Sequence, residues 1–142
     1  MAKILIVYWS GTGNTERMAE LITGGAKAKG AEVDCKRIGE SGVGEALGYD
    51  VVAIGSPSMG QEVIEESEVE PFVEELNGKI AGRKFAIFGS YGWGDGEWMR
   101  VWAERMRSYG ADLLDDGLTV NESPQGDGET LCREWGEKLA AF

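Results

Sequence analysis

Apolar runs alternate with amphipathic stretches along this chain. Near-continuous apolar runs are typical of parallel strands buried on both faces, and they occupy residues 4–8 (ILIVY), 51–54 (VVAI) and 85–88 (FAIF). Residues 31–36 alternate instead, with Val33 and Cys35 on one side, which predicts an edge strand with one wet face. Residues 118–120 (LTV) form a fifth candidate strand.

Helical spacing predicts four amphipathic helices, at residues 15–29, 70–76, 97–109 and 127–142, with Gly110 as a stop signal after the third. The apolar residues expected to face the core are Met18, Leu21, Ile22, Ala26, Phe72, Val73, Leu76, Trp98, Val101, Trp102, Met106, Tyr109, Leu131, Trp135, Leu139 and Phe142. Strands and helices alternate along most of the chain, with a turn-rich link before the third strand. This order predicts an open, doubly wound α/β sheet with right-handed crossovers.

Composition narrows the functional classes. A chain of 142 residues with 42% hydrophobic content suits one domain spanning residues 1–142. The formal net charge of −11 argues against nucleic acid and favours partners with basic docking patches. No apolar run is long enough to cross a membrane, and no signal peptide precedes the first strand. We therefore expect a cytoplasmic monomer.

The rare residue types exclude several chemistries. The sequence contains no histidine, which rules out histidine metal sites and Ser-His-Asp or Cys-His catalysis. Cys35 and Cys132 are too few to form a disulfide framework, and we interpret them as two buried free thiols.

The loop after the first strand, residues 9–15 (WSGTGNT), has the composition of a phosphate site. It combines three hydroxyls, one amide and two glycines at the start of a helix, where backbone N–H groups bind anions. It contains no Lys or Arg, so neutral donors and the helix dipole would hold the phosphate. The loop matches neither a P-loop nor a dinucleotide fingerprint, and an ordinary strand-to-helix turn remains the alternative.

Two further loops follow the third and fourth strands, at residues 55–62 (GSPSMGQE) and 89–96 (GSYGWGDG). Trp93 lies between two glycines, where strand or helix packing does not explain it, so we interpret its indole as a stacking surface for a planar ligand. Met59 on the other loop is positioned to cover the opposite ring face with its thioether. The alternative is a Trp93 side chain folded back onto the core.

Three segments together resemble the flavodoxin family, in particular its short-chain, clostridial type. They are IVYWSGTGNTE, SMGQEVIEESEVEPF and FGSYGWGDGEWMR, and the resemblance extends over nearly the whole chain. It implies a flavodoxin-like five-stranded parallel sheet of order 2-1-3-4-5 with helices on both faces. It also implies a low-potential electron carrier, not an enzyme, in which non-covalently bound FMN shuttles between semiquinone and hydroquinone.

By the same resemblance, FMN would be held by sixteen residues and no metal would be bound. The phosphate would lie against Ser10, Gly11, Thr12, Gly13, Asn14 and Thr15. The isoalloxazine ring would lie between Met59 and Trp93, with Gly60 presenting its carbonyl to N5 and Glu62 accepting from N3. Further contacts would come from Ser58, Gln61, Ser90, Tyr91, Gly92 and Gly94.

Four positions depart from the family pattern, namely Gln61 and, where the family commonly has other small-residue patterns, Ser56, Pro57 and Ser58. Gln61 stands where the family often carries Asp, and losing that charge would ease reduction. Pro57 has no N–H, so it cannot donate a backbone hydrogen bond.

Two features are expected to set the reduction potential. Residues 59–62 can form a four-residue turn, in which positive φ falls on Gln61 in type II and on Gly60 in type II′. Glycine adopts positive φ freely, so the sequence favours the form that would aim the Gly60 carbonyl at a protonated N5.

The second feature is charge. Residues 38–78 contain no Lys or Arg, and their acidic residues include Glu62, Glu65, Glu66, Glu68, Glu70, Glu74 and Glu75, with Asp95 and Glu97 following on the third loop. Negative charge opposes the second electron and attracts basic partners, such as reductases and the oxidoreductases that ferredoxin serves. A solvated acidic face that maintains solubility is the alternative interpretation.

Two other functions fit the fold class. One is an FMN-dependent NAD(P)H or quinone reductase, although the sequence contains no nucleotide-binding fingerprint and no histidine that could bind a second substrate. The other is a receiver-like signalling domain, which would need acidic residues where the first and third strands end. Those strand ends read YWS and GSP instead.

Overall fold

The computed structural model describes residues 2–60 and 62–142. Within these ranges, one parallel sheet is formed by β1 (Lys3–Tyr8), β2 (Glu32–Arg37), β3 (Val51–Gly55), β4 (Lys84–Tyr91), β5 (Asp112–Leu113) and β6 (Leu118–Asn121). The strand order is β2-β1-β3-β4-β5, and β6 also pairs with β4. The predicted order 2-1-3-4-5 is confirmed, with β2 at an edge as expected.

The fifth position of the sheet is divided between two short strands. β5 pairs with Lys84 and Phe85, whereas β6 pairs with residues 88–91 further along β4. Between β5 and β6, Asp115 has a φ of 46°, and its carboxylate accepts from the Gly117 N–H at 2.7 Å and from the Trp135 indole N–H at 3.0 Å. The sequence predicted only residues 118–120, because a two-residue strand has no periodicity to detect.

Helices cover both faces of the sheet, and their bounds are α1 (Asn14–Ala28), α2 (Val43–Ala46), α3 (Val69–Leu76), α4 (Glu97–Ser108) and α5 (Asp127–Ala141). The four predicted helices are present to within one residue at each end. The turn-rich link contains a 3₁₀ turn at Ile38–Glu40 followed by the short α2. Gly110 has a φ of 89°, which fits its predicted role as a stop after α4.

The sheet separates two apolar layers. Leu5 and Val7 of β1 pack with α3 and α4, and Ile4 and Ile6 pack with α1 and α5. This alternation follows from the period of two in a strand buried on both faces. Trp102 and Trp135 are 2% and 3% exposed, so their predicted core positions are confirmed.

Two predicted core residues are exposed. Val101 of α4 is 56% exposed and Leu131 of α5 is 46% exposed. In α5 the inward face carries the small Gly136 instead, where an added Cβ would lie 2.1 Å from the Ile22 carbonyl oxygen of α1. Close helix contact thus decides which face is buried, and an apolar pattern cannot show such contact.

The cysteine prediction was correct for one residue and wrong for the other. Cys132 lies on the buried face of α5, and burial raises its thiol pKa to about 11. Cys35 is exposed, although it alternates with the buried Val33 along β2. The reason is that an edge strand is covered only over part of its length.

Among the described residues, no helix has both the length and the apolar character needed to cross a membrane.

Candidate functional site

The carboxyl ends of the parallel strands meet at one edge of the sheet and form a cleft of about 730 Å³. Its lining comes from four loops: Trp9, Ser10, Gly11, Thr12, Asn14 and Thr15; Pro57, Ser58 and Met59; Ser90, Tyr91 and Gly92; and Asn121, Glu122, Ser123 and Gln125. The three loops selected from the sequence therefore do meet around one cleft. Of the sixteen predicted site residues, Gly13, Gly60, Glu62, Trp93 and Gly94 lie outside this lining, and Gln61 lies outside the described residues.

The first loop is held by its own hydrogen bonds. The Gly13 N–H donates to Ser10 Oγ at 3.1 Å, and Gly13 has a φ of 98°, which glycine adopts without strain. The hydroxyls of Thr15 and Ser90 are 3.1 Å apart, which joins the first loop to the third. Ser10 is 8% exposed and Thr15 is 1% exposed. The loop thus presents ordered donors at the N-terminus of α1, as an anion site requires.

Arg37, the last residue of β2, places a positive charge next to the first loop, which itself contains no Lys or Arg. The Arg37 guanidinium donates to the Ser10 carbonyl oxygen at 3.0 Å, and its Cζ lies 5.6 Å from the centre of the Tyr8 ring. The register of β1 and β2 places Arg37 beside Tyr8, directly before the loop. Sequence analysis missed Arg37 because this proximity depends on the strand register.

The second loop folds back as a tight hairpin. The N–H of Met59 donates to the carbonyl of Val63 at 2.8 Å, and the reverse bond is 3.1 Å long. Gly60 has a φ of 48°, and Glu62 has a φ of 56°. The hairpin that this pair closes thus spans residues 59–63, one residue more than the predicted turn at residues 59–62. Positive φ at Gly60 was expected, whereas positive φ at Glu62 was not.

Met59 and Trp93, which are expected to lie on either side of a planar ring and are called the ring-side residues here, are far more exposed than the first loop. Met59 is 36% exposed and Trp93 is 63% exposed, so the Trp93 indole is not folded onto the core. The carboxylate of Glu62 contacts the third loop, because a Cβ on Gly94 would lie 2.1 Å from Glu62 Oε1. That oxygen is buried and has no hydrogen-bond partner among the described residues. A buried acceptor in this position is suited to a ligand N–H.

Backbone contacts fix the second and third loops relative to each other. Ser58 N–H donates to the Ser90 carbonyl at 2.9 Å, and Ser56 N–H donates to the Phe88 carbonyl at 3.0 Å. A Cβ on Gly89 would lie 1.8 Å from the Ser56 carbonyl oxygen, so only glycine permits this approach. The two loops therefore leave the sheet as a rigid pair.

Some acidic residues of the segment 38–78 stabilise the fold by accepting hydrogen bonds. Glu65 is 4% exposed, and its carboxylate accepts backbone N–H groups of Ser67, Glu68 and Val69 at 2.7–3.0 Å before α3, together with the Ser67 hydroxyl. Burial opposes ionisation of Glu65, but these hydrogen bonds outweigh it and lower the pKa of the carboxyl group.

Glu70 is also paired, since Arg105 donates to its carboxylate through both terminal nitrogens. A different group of acids lies at the ring-side loops. Carboxylate oxygens of Glu62, Asp95 and Glu97 all lie within 4.8 Å of one another. Asp95 also pairs with Arg100 at 3.2 Å, so the three carboxylates together leave a net negative charge at these loops.

Comparison with known proteins identifies the family. The flavodoxin family model matches residues 6–136. The chain is 50% identical to a flavodoxin of Clostridium beijerinckii and 47% identical to one of Megasphaera elsdenii, each over 95% of this chain and at least 96% of the relative. The chain belongs to the flavodoxin family. The solution structure of two-electron reduced M. elsdenii flavodoxin superposes with a TM-score of 0.88 over 98% of this chain at 43% identity.

Flavodoxins are electron-transfer proteins with FMN as cofactor, so the predicted family, cofactor and class are confirmed. The reductase and receiver interpretations are set aside. The residues present fit an FMN group: the first loop offers neutral donors at a helix N-terminus, and Glu62 Oε1 is a buried acceptor that needs a donor.

The flavodoxin cleft has a fourth wall that sequence analysis missed. Residues after β6 line it, and Asn121 and Glu122 are fixed by hydrogen bonds to the Tyr91 carbonyl at 3.2 Å and 2.7 Å. The rule that led to the other loops applies here as well, because residues 118–120 were a predicted strand of the same parallel sheet. Trp9 and Pro57 were noted in the sequence but were not assigned to the site.

Proposed function

We propose that this flavodoxin is a low-potential one-electron carrier whose bound FMN shuttles between semiquinone and hydroquinone. FMN supplies the redox chemistry, and the protein binds it and adjusts its potential. The single observation that carries the proposal is the group formed by Glu62, Asp95 and Glu97, whose carboxylates converge at the ring-side loops. Negative charge in that place opposes a second negative charge on the ring.

We assign the phosphate to the first loop. Ser10, Thr12 and Thr15 supply hydroxyls, and Gly11 and Asn14 bring backbone N–H groups to the start of α1. Gly13 contributes by donating its N–H to Ser10 Oγ, which orders that hydroxyl. Because Ser10 and Thr15 are already buried and hydrogen-bonded, their donors are ordered before the ligand arrives. Such preorganisation favours binding, because less conformational freedom is lost.

We assign the ring to the space between Met59 and Trp93. Both side chains are exposed, and a planar ring between them would remove apolar surface from water. Glu62 would accept from N3 through its buried oxygen, with backbone contacts from residues 90–92 and 94 and side-chain or backbone contacts from Ser58 and Gln61. This arrangement satisfies the Glu62 oxygen that has no partner among the described residues.

The hairpin supplies a second influence on the potential. Gly60 already has positive φ, so turning its carbonyl toward N5 would not force a β-carbon into a strained conformation. A Gly60→Ala variant should make the first reduction harder and lower the yield of the one-electron state. An unchanged yield would argue against any role for this turn.

The acidic ring-side surface would also select partners. Basic patches on reductases, and on oxidoreductases normally served by ferredoxin, would be steered toward it in the cytoplasm. Association should weaken as salt rises, because exposed charges are screened.

Stepwise reduction of the purified protein, followed by visible spectroscopy, tests the function. We expect a yellow protein that passes through a blue neutral radical and then bleaches at low potential. Direct, fast reduction by NAD(P)H would contradict a carrier role, as would a single two-electron step without the radical.

A further inference from the structure

We propose that Arg37 is a specificity residue that makes this cleft prefer a phosphorylated flavin over riboflavin. The inference rests on the proposed assignment of the phosphate to the first loop. It adds a charged group to a site whose own loop contains none. Among the described residues that line the cleft there is no Lys or Arg, so the charge of Arg37 acts from just outside the lining.

The position of Arg37 is fixed by the sheet. β2 ends at Arg37, and the register of the parallel pair sets this residue beside Tyr8 at the end of β1. The guanidinium donates to the Ser10 carbonyl at 3.0 Å, and the Ser10 hydroxyl in turn accepts from Gly13 N–H at 3.1 Å. The cation therefore contacts the backbone of the phosphate loop itself.

The charge of Arg37 is not cancelled by a direct partner. Other cations nearby are paired: Arg17 lies 3.1 Å from Glu129, and Lys36 lies 2.6 Å from Glu45. Within the described part of the chain, the Arg37 guanidinium forms no ion pair and contacts a carbonyl and an aromatic face. The Glu40 carboxylate accepts from the Arg37 backbone N–H at 3.0 Å and not from the guanidinium. Its positive field is thus available to the loop that it touches.

A neighbouring acid explains why a cation is useful here. Glu16 lies in the first turn of α1, the same turn whose N–H groups would bind the phosphate, and it accepts from the Tyr8 hydroxyl at 3.2 Å. A carboxylate so placed would repel a dianion. Arg37 lies over the ring of that same Tyr8, so it offsets the charge of Glu16 where the phosphate would approach.

The carbonyl contact has a second consequence. The Ser10 carbonyl oxygen carries a partial negative charge that would repel a phosphate. The guanidinium donates a hydrogen bond to this oxygen and offsets its charge. An arginine can do this while its remaining N–H groups stay free, because its planar fork offers five donors. Both effects act on the phosphate group, so they should not change the affinity for a flavin that has no phosphate.

The test compares FMN with riboflavin on the flavin-free protein. For Arg37→Gln we expect FMN affinity to fall by about threefold to tenfold at low salt, as for a partly exposed charge near an anion. Riboflavin affinity should stay within about twofold of wild type. Arg37→Lys should keep most of the FMN affinity, since it retains the charge.

Arg83→Gln is the matched control. Arg83 also donates to a backbone carbonyl, that of Leu47 at 2.7 Å, but it precedes β4 at the opposite end of the sheet. Its loss should leave both flavins unaffected. Equal loss of FMN affinity in the Arg83 and Arg37 variants would overturn the inference, because the effect would then be one of general charge or stability.

Salt and pH separate a charge effect from a purely structural one. The FMN difference between wild type and Arg37→Gln should shrink at 0.5 M salt, because screening weakens charge interactions. It should grow between pH 5.5 and 7.5, as a phosphate monoester with a second pKa of about 6 gains its second charge. A difference that is constant with salt and pH, or absent, would overturn the role of Arg37. Failure of wild type to bind either flavin would overturn the proposed function itself.

Discussion

The phosphate side and the ring side of the cleft are built in opposite ways. On the phosphate side, Ser10 and Thr15 are almost fully buried and hydrogen-bonded within the protein. On the ring side, Met59 and Trp93 are exposed, and a Glu62 oxygen has no partner among the described residues. One side is therefore ordered by the protein's own hydrogen bonds, while the other leaves exposed apolar side chains and a free acceptor that the proposed ring would cover.

This contrast separates two tasks of a redox site. On the proposed assignment, the ordered side would hold the phosphate, whose charge does not change with the redox state of the ring, and preorganised donors suit that task. On the same assignment, the open side would face the part of the cofactor that changes charge, so its carboxylates would influence the potential while the ring edge stays accessible. The following variants should affect one side without the other.

The largest effect is expected from Trp93→Ala on the ring side. Stacking of an aromatic side chain on a planar base contributes about 1–3 kcal/mol, so flavin affinity should fall by about fivefold to 150-fold. FMN and riboflavin should weaken equally in fluorescence titrations, because both carry the same ring. Trp93→Tyr is the control that retains a stacking surface. A loss limited to FMN would show that Trp93 does not contact the ring.

A buried carboxylate in the acidic stretch should affect stability instead of the potential. Glu65→Gln removes charged hydrogen bonds at the start of α3 and should lower the free energy of unfolding by about 2 kcal/mol. The exposed Glu66→Gln should change it by less than about 0.5 kcal/mol. Urea denaturation of the flavin-free protein measures both.

The pH dependence of this contribution follows from the lowered pKa of Glu65 in the folded protein. The unfolded chain binds the proton more readily, so the contribution is fully present above the ordinary pKa of a glutamate. It is lost as the pH falls through the folded pKa. Glu65→Gln should therefore flatten the acid side of the stability curve, and parallel curves for variant and wild type would contradict the assignment.

A smaller effect is expected from Thr15→Val on the phosphate side. This change removes one hydroxyl donor and its contact with Ser90 while keeping the side-chain shape. FMN affinity should fall by about fivefold to tenfold, since one hydrogen bond contributes about 1 kcal/mol. Riboflavin affinity should hardly change, and an equal loss for the two flavins would mean that Thr15 supports the whole cleft.

The smallest effect is expected from Asp95→Asn combined with Glu97→Gln. Both side chains are exposed, so their charges act at high dielectric, and we expect the second reduction potential to rise by about 20–40 mV at low salt. The first potential should move less, and 0.5 M salt should remove most of the shift. Potentials that do not respond to either change would show that this acidic group does not adjust the second reduction.

The sequence was most informative where a single element or loop carries the signal. The buried runs of β1, β3 and β4 and the helices α1, α4 and α5 follow from period alone, because burial on a face repeats along the chain. The residues of the first loop were also predicted from their own composition. Their direct roles in flavin binding remain predictions, which the variants above address.

Errors arose where contacts between elements decide the outcome. Leu131 is exposed because α5 packs on α1 through Gly136, and the fifth strand is divided at the segment where Asp115 bonds to Trp135. Arg37 was missed for the same reason. It reaches the phosphate loop only through the register of β1 and β2.

The amino-acid sequence by itself determined the fold class, the family and the three loops that surround the cleft. Those properties depend on local periodicity and on short contiguous motifs. The tertiary structure alone decided which acids remain close to the ring-side loops, which of them stabilise helices, and which cation reaches the phosphate loop. The physical reason is that charge interactions depend on distances through space, and in a crossover fold those distances have little relation to separation along the chain.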